Sequence, residues 1–166
     1  MRGNPVIEHP EYNQEAEQAI NILLSSHNEK SDGPGFEGPQ LAIVTCMDYR
    51  INLRLPKNFA FVLRTGGANT LPIEPYLAFS VARTGIHAVA IIGHTDCAMQ
   101  HPNPYVVEQL PASTDVKRDY RSQIASLAIL DAPEYTRREA KRLAERLGLP
   151  VIPLLYHVED HKITRL

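Results

Sequence analysis

The sequence predicts an α/β fold with a mainly parallel central β-sheet flanked by helices. Three observations predict it. Short apolar runs rich in β-branched residues alternate along the chain with segments of helical periodicity. Two of those runs, "LAIVTC" (41–46) and "AVAIIGH" (88–94), are predominantly apolar without alternation, as strands covered on both faces are. The chain also has 166 residues, 43 % of them hydrophobic and 22 % charged, enough to bury a core on both faces of one sheet.

Each element follows from local chemistry. Residues 11–29 carry Ala16, Ala19, Ile20, Leu23 and Leu24 at helical spacing among Glu, Gln and Asn. The Gly- and Pro-rich "EKSDGPGFEGP" (29–39) is a loop. Strand 41–46 is followed after about a dozen residues by "FAFVLRTGG" (59–67), a strand ending in a glycine turn. That spacing is the lower limit for a parallel crossover, so a short helical turn is expected within it. Residues 73–85 form a helix stopped by Gly85, and the strand 88–94 follows. Residues 98–112 are a polar, Pro-rich loop. Helices are expected at 114–130 and 133–147, the second with Pro133 near its start and Gly148 at its end. The last strand is 151–160, where Pro153 predicts an edge position or a bulge. No repeat or linker interrupts the chain, so one domain is expected over 1–166, with 1–40 a helical arm and loop and 41–166 the α/β core.

Bulk properties exclude several classes. A net charge of −2 gives no electrostatic case for nucleic acid or an anionic membrane surface. No apolar run approaches the ~20 residues of a membrane span. The N-terminal "MRGNPVIEHPEYNQEAEQ" lacks the apolar core of a secretory signal, so a cytoplasmic location is expected. In that reducing compartment the two cysteines are better read as ligands or reactive thiols than as a disulfide.

Those cysteines carry the chemistry. Cys46 closes the run 41–46, and His94 closes 88–94 with Cys97 three residues on. Ligands collect beyond the carboxyl ends of strands in open parallel sheets. If the two strands are neighbours, Cys46, His94 and Cys97 converge. Two thiolates and an imidazole suit Zn2+, and three protein ligands leave a fourth position open, the catalytic pattern. Asp48 has two roles open to it. It is either the fourth ligand, closing the site, or it is held off the metal by Arg50 and orients a metal-bound water.

On these residues the sequence resembles the β-class carbonic anhydrases. The resemblance rests on Cys46-Met47-Asp48-Tyr49-Arg50 with Ile51, on Arg64-Thr65-Gly66-Gly67-Ala68, and on Gly93-His94-Thr95-Asp96-Cys97. The tail "YHVEDHKI" (156–163) looks like that family's last strand and following turn, and the match runs from about residue 41 to the C-terminus. The resemblance implies one zinc per chain on Cys46, His94 and Cys97, with Asp48 and Arg50 as a catalytic dyad. It implies reversible hydration of carbon dioxide to bicarbonate, with zinc lowering the pKa of its water to ~7. It also implies a homodimer or a multiple of it, with the N-terminal helix packed on the partner.

Gly66, Gly67 and Ala98 are the candidate substrate-binding residues. The two glycines are read either as a plain turn or as a close approach of backbone to the site, and the Ala98 N–H as a donor to a substrate oxygen. Ala98 replaces the family's usual Gly and would be strained if its turn needs positive φ. Thr65-Gly66 stands where the family commonly has Asn-Ala, and the 98–130 region is compressed. These departures leave hydrolysis of carbonyl sulfide or carbon disulfide as an alternative. Two others are a non-catalytic zinc-binding relative and a redox thiol pair joined as a Cys46–Cys97 disulfide.

Plainer roles are expected elsewhere. Arg64 is expected to pair with an acid under the sheet. His87 is read as structural or solvated, and His101, His157 and His161 as solvent-facing. Tyr76, Leu77 and Phe79 are expected in the core or an interface. The run "TRREAKRLAER" (136–146) is expected to be a solvated helix face with Glu–Lys/Arg pairs.

Overall fold

Five strands make the central sheet: β1 (Leu41–Cys46), β2 (Ala60–Thr65), β3 (Ala88–His94), β4 (Val151–His157) and β5 (Lys162–Arg165). Their spatial order is β2-β1-β3-β4-β5, parallel except for the antiparallel β4–β5 hairpin. The computed structural model describes residues 13–31 and 33–166. The first two residues of the predicted 11–29 helix and the rest of the N-terminal arm, 1–12, lie outside the described residues. Every residue of β1 and β3 is buried, as their predominantly apolar, non-alternating patterns predict.

Helices cover both faces. α1 (Gln14–Asn28) starts where the Asn13 side chain accepts the Ala16 N–H at 2.7 Å. Its buried Ala16, Ala19, Ile20 and Leu23 pack on its own sheet with Leu41, Ile43, Ala90 and Ile92. This buried face of α1 thus belongs to the chain's own core. On the opposite face, α2 (Glu74–Thr84) and α4 (Ala132–Leu147) enclose Ala42, Val44, Leu77, Val89, Ile91, Ala140 and Leu143. Each fully buried Leu or Ile contributes about 1.5–3 kcal/mol. Gly85 and Gly148 end α2 and α4 in the left-handed conformation, with φ of 64° and 66°. No helix among the described residues is long and apolar enough to cross a membrane.

Five expectations need correction. The β1–β2 connection contains no helical turn. It is irregular, with one tight turn in which the Ile51 N–H donates to the Asp48 carbonyl at 3.1 Å. α3 (Thr114–Leu127) stops three residues early, because Ile129 leaves the helix to enter the core. The last strand is two strands, with a reversal after His157. Pro153 lies in an interior strand. Its carbonyl accepts from the Leu166 N–H at 3.2 Å, and pairing with β5 begins one residue later, at Leu154↔Arg165. The missing N–H thus sits at the end of the β4–β5 ladder, where it interrupts least of the pairing. Finally, the arginine-rich helix is not wholly solvated. Glu139 is buried, and Arg142 binds it in a fork while also reaching Glu74 on α2.

The outer edges of the sheet differ. At β5, the Asn28 side chain accepts the Ile163 N–H and donates to the Ile163 carbonyl, both at 2.8 Å, as a neighbouring strand would. Among the described residues, no strand pairs with the outer edge of β2.

His27, at the last turn of α1, is buried and braces three segments. Its Nε2–H donates to the His161 carbonyl (2.9 Å), and its Nδ1 accepts the Arg54 N–H (3.1 Å). Both partners require the neutral ring, and burial pushes its pKa below the usual 6.5. A depressed folded-state value means stability that is present above pH 6.5 and lost as pH falls through the lower value. Between pH 6.5 and about 5, the thermal midpoint of the wild-type chain is expected to fall more steeply than that of His27→Gln. Parallel pH slopes would contradict this assignment.

Candidate metal centre

β1 and β3 are adjacent and parallel, so Cys46 and His94 end side by side at the carboxyl edge of the sheet. The Thr95 N–H still bonds the Tyr156 carbonyl at 3.0 Å, one residue past β3. Asp96 then takes φ 54°, turning the chain so that Cys97 faces back. One ligand atom each from Cys46, His94 and Cys97 lies within 4.8 Å of the others, and all three residues are at least 96 % buried. These three side chains could hold a metal ion, and both cysteines are free.

The donor set fits a metal on local grounds. The His94 Nδ1–H donates to the Thr95 carbonyl at 2.8 Å, which leaves the Nε2 lone pair free. That Nε2 is buried and has no hydrogen-bond partner in the protein. An orphaned buried nitrogen is costly, by roughly 1–3 kcal/mol, unless something binds it. The Gly67 N–H donates to Cys46 Sγ at 3.2 Å. The neighbouring Cys97 thiol holds the Cys46 thiol below its ordinary value, and the same proximity pushes Cys97 up.

Asp48 and Arg50 form a bidentate pair. Arg50 Nε and Nη2 donate to the two Asp48 oxygens at 3.0 and 2.8 Å, and the Arg50 backbone N–H adds a bond at 2.9 Å. The guanidinium holds the Asp48 carboxyl at about 2, well below its ordinary value. Asp48 is not part of the three-residue ligand group. Arg50 is itself clamped from the ligand turn. Its Nη1 donates to the Asp96 carboxylate (2.8 Å) and its Nη2 to the Asp96 carbonyl (3.0 Å).

The remaining residues fall into place around this core. Arg64 meets carbonyls instead of an acid. It donates to Cys46 (3.3 Å) and Ile51 (2.9 Å), fastening both ends of the segment that carries the dyad. Gly66 and Gly67 form a tight turn packed on Met99 and Ile129. Gly67 has φ 66°, and a Cβ there would lie 2.8 Å from Ile129 Cγ2. Ala98 is exposed and is not a positive-φ residue, so the strain considered for it does not arise. His87 pairs with Glu15 at 3.2 Å, His157 with Thr164 at 2.9 Å, and His161 with the Tyr156 hydroxyl at 3.0 Å, while His101 is exposed. On α2, Leu77 is in the core, whereas Tyr76 and Phe79 are exposed.

Two positions gain meaning only from the fold. Asp96 was visible in the motif, but its bond to Arg50 was not. Gly93 carries α4 close against the sheet, where a Cβ would overlap Thr136 Oγ1 and lie 3.4 Å from the Ala132 carbonyl. Gly93→Ala is expected to destabilise the chain by about 2–3 kcal/mol and to displace His94. Denaturant unfolding of metal-free protein checks this, and a change under about 0.5 kcal/mol would contradict it.

Comparison with known proteins agrees with this architecture. Carbonic anhydrase from Glaciozyma antarctica superposes with a TM-score of 0.66 at 21 % identity, covering 94 % of this chain and 96 % of that one. β-Carbonic anhydrase isoform I from Trichomonas vaginalis superposes at 0.67 and 21 % identity, covering 90 % and 92 %. This chain has a β-carbonic-anhydrase-like fold. An apo carbon disulfide hydrolase shares it, with a TM-score of 0.58, 15 % identity and coverage of 90 % and 87 %. No family model and no curated protein sequence matches the chain. In this fold Cys46 and His94 end neighbouring parallel strands although they lie 48 residues apart.

Proposed function

We propose that the chain is a zinc enzyme that converts carbon dioxide and water reversibly to bicarbonate and a proton. The observation that carries this reading is the buried, unpartnered Nε2 of His94 facing two cysteines, beside a carboxylate that Arg50 restrains. The chemistry that zinc supplies when held by Cys46, His94 and Cys97 is the activation of water near neutral pH. Asp48 accepts a hydrogen bond from that water and aligns its lone pair. Arg50 keeps Asp48 anionic and in place, and Asp96 fixes Arg50 to the ligand turn. The Ala98 N–H donates to a substrate oxygen. Gly67, whose N–H is committed to Cys46, tunes the thiolate, and Gly66 shapes the wall beside Met99.

The bidentate hold on Asp48 favours an open site over one closed by a fourth protein ligand, and hence an enzyme over a non-catalytic zinc protein. Two thiols used as ligands suit a reducing cytoplasm. A homodimer completes the proposal. Met47 and Tyr49 alternate with the dyad and are 64 % and 93 % exposed, and the open β2 edge lies in the same sheet. In a dimer these surfaces are covered.

The test is stopped-flow hydration of carbon dioxide by protein of assayed zinc content, with carbonyl sulfide and carbon disulfide turnover measured alongside. Hydration several orders of magnitude above background supports the reading. One zinc per chain with no hydration refutes it, and turnover of a sulfur substrate alone moves the assignment to the hydrolase reaction.

A further inference from the structure

A cleft of about 580 Å3 opens between the end of α1, the irregular segment after Arg50, and the β4–β5 hairpin. We propose that it binds a phosphorylated small molecule carrying at least two phosphates. The site is distinct from the three metal ligands, none of which lines it.

Charge is the first argument. The chain as a whole carries −2, yet Lys30, Arg50, Arg54 and Lys162 line this one cleft with Asp160 as the sole carboxylate among its lining residues. Arg50 is already neutralised by Asp48 and Asp96. Among the described residues, neither Arg54 nor Lys162 has a carboxylate within 4.0 Å. The Asp160 side chain takes the Lys162 backbone N–H at 3.0 Å. Lys30 follows the carbonyl end of α1, where a cation also offsets the helix dipole, so Arg54 and Lys162 carry the argument.

The floor is the second argument, because it is built. His27 and Tyr156 line the cleft and are 6 % and 1 % exposed. His27 joins the Arg54 backbone to the His161 backbone, and the Tyr156 hydroxyl donates to the Arg50 carbonyl at 3.2 Å while meeting His161 Nδ1 at 3.0 Å. These bonds fix the walls that carry Arg54 and Lys162 relative to each other, before any ligand arrives. Preorganised cations on separate walls favour a ligand with several anionic groups over a single small anion. The volume lies within the usual range for cofactor-sized ligands, roughly 300–1,000 Å3, and is far larger than one phosphate requires.

Calorimetric titration of the zinc-loaded full chain with pyrophosphate and with ATP, at fixed ionic strength, tests the proposal. Inorganic phosphate and bicarbonate serve as single-anion controls. One ligand per chain is expected, at least tenfold tighter for pyrophosphate or ATP than for phosphate. Equal affinities for pyrophosphate and ATP place recognition in the phosphates alone, and tighter ATP adds its nucleoside, both in support. The double variant Arg54→Ala/Lys162→Ala is expected to lose at least tenfold in affinity with its thermal midpoint and zinc content unchanged, while Arg54→Lys keeps most of it. Zinc stripped by the ligand would be equal in variant and wild type, so the difference between them reports the cleft. No saturable binding, or equal binding by the double variant, overturns the proposal.

Discussion

Cys97→Ser is expected to lower the affinity of the chain for zinc by at least about a hundredfold, and activity with it. Substitutions in the shell around a ligand already cost ten- to a hundredfold, so removal of a ligand costs no less. The reason is specific to this site. Cys97, three residues beyond His94, faces Cys46 and His94 because Asp96 turns the chain at φ 54°. Serine keeps that geometry but substitutes a hard, protonated oxygen for a soft thiolate. The change should show as zinc lost on dialysis against a weak chelator, with far-UV circular dichroism preserved. Full zinc retention in Cys97→Ser would remove Cys97 from the ligand set. It would also leave His94 Nε2 and Cys46 needing a different third partner.

Asp48→Asn is expected to leave zinc in place and to reduce the rate of carbon dioxide hydration about a hundredfold. The amide is nearly the same shape, and Arg50 retains its two bonds to Asp96. What is lost is the charge that Arg50 holds and that, in the proposed mechanism, accepts a hydrogen bond from water. The two substitutions therefore separate holding the metal from using it. Zinc loss in Asp48→Asn would instead mark Asp48 as a fourth ligand and the site as closed. An unchanged rate with zinc retained would leave the bidentate pair as no more than a brace at the end of β1.

Much of the centre was legible because its parts obey strong local rules. Cys46 and His94 end predominantly apolar runs, and such runs become buried parallel strands whose carboxyl ends gather ligands. Asp48 and Arg50 lie two residues apart, close enough for their pairing to be read from spacing. Arg64 was misread because its partners are backbone carbonyls, which carry no sequence signature. The hairpin after His157 was missed for a related reason. Its reversal uses His161 at φ 59°, where a sequence reader looks for Gly or Asn. The same holds at Leu130, whose φ of 61° closes the link that sends Ile129 into the core beneath Gly67. Where tertiary packing forces an ordinary residue into the left-handed region, composition gives no warning.

The unequal edges of the sheet differ in what they offer another strand. Asn28 occupies the Ile163 backbone at one end, and β5 is only four residues long, so little of that edge can recruit another strand. Among the described residues, the six-residue β2 at the other end has no strand on its outer side. A chain with one adhesive edge forms closed pairs about a two-fold axis and has nothing left to extend a fibre. The side-chain amide at the end of α1 thus acts as a stopper: under the proposed pairing of two copies, it leaves this edge unable to add a third.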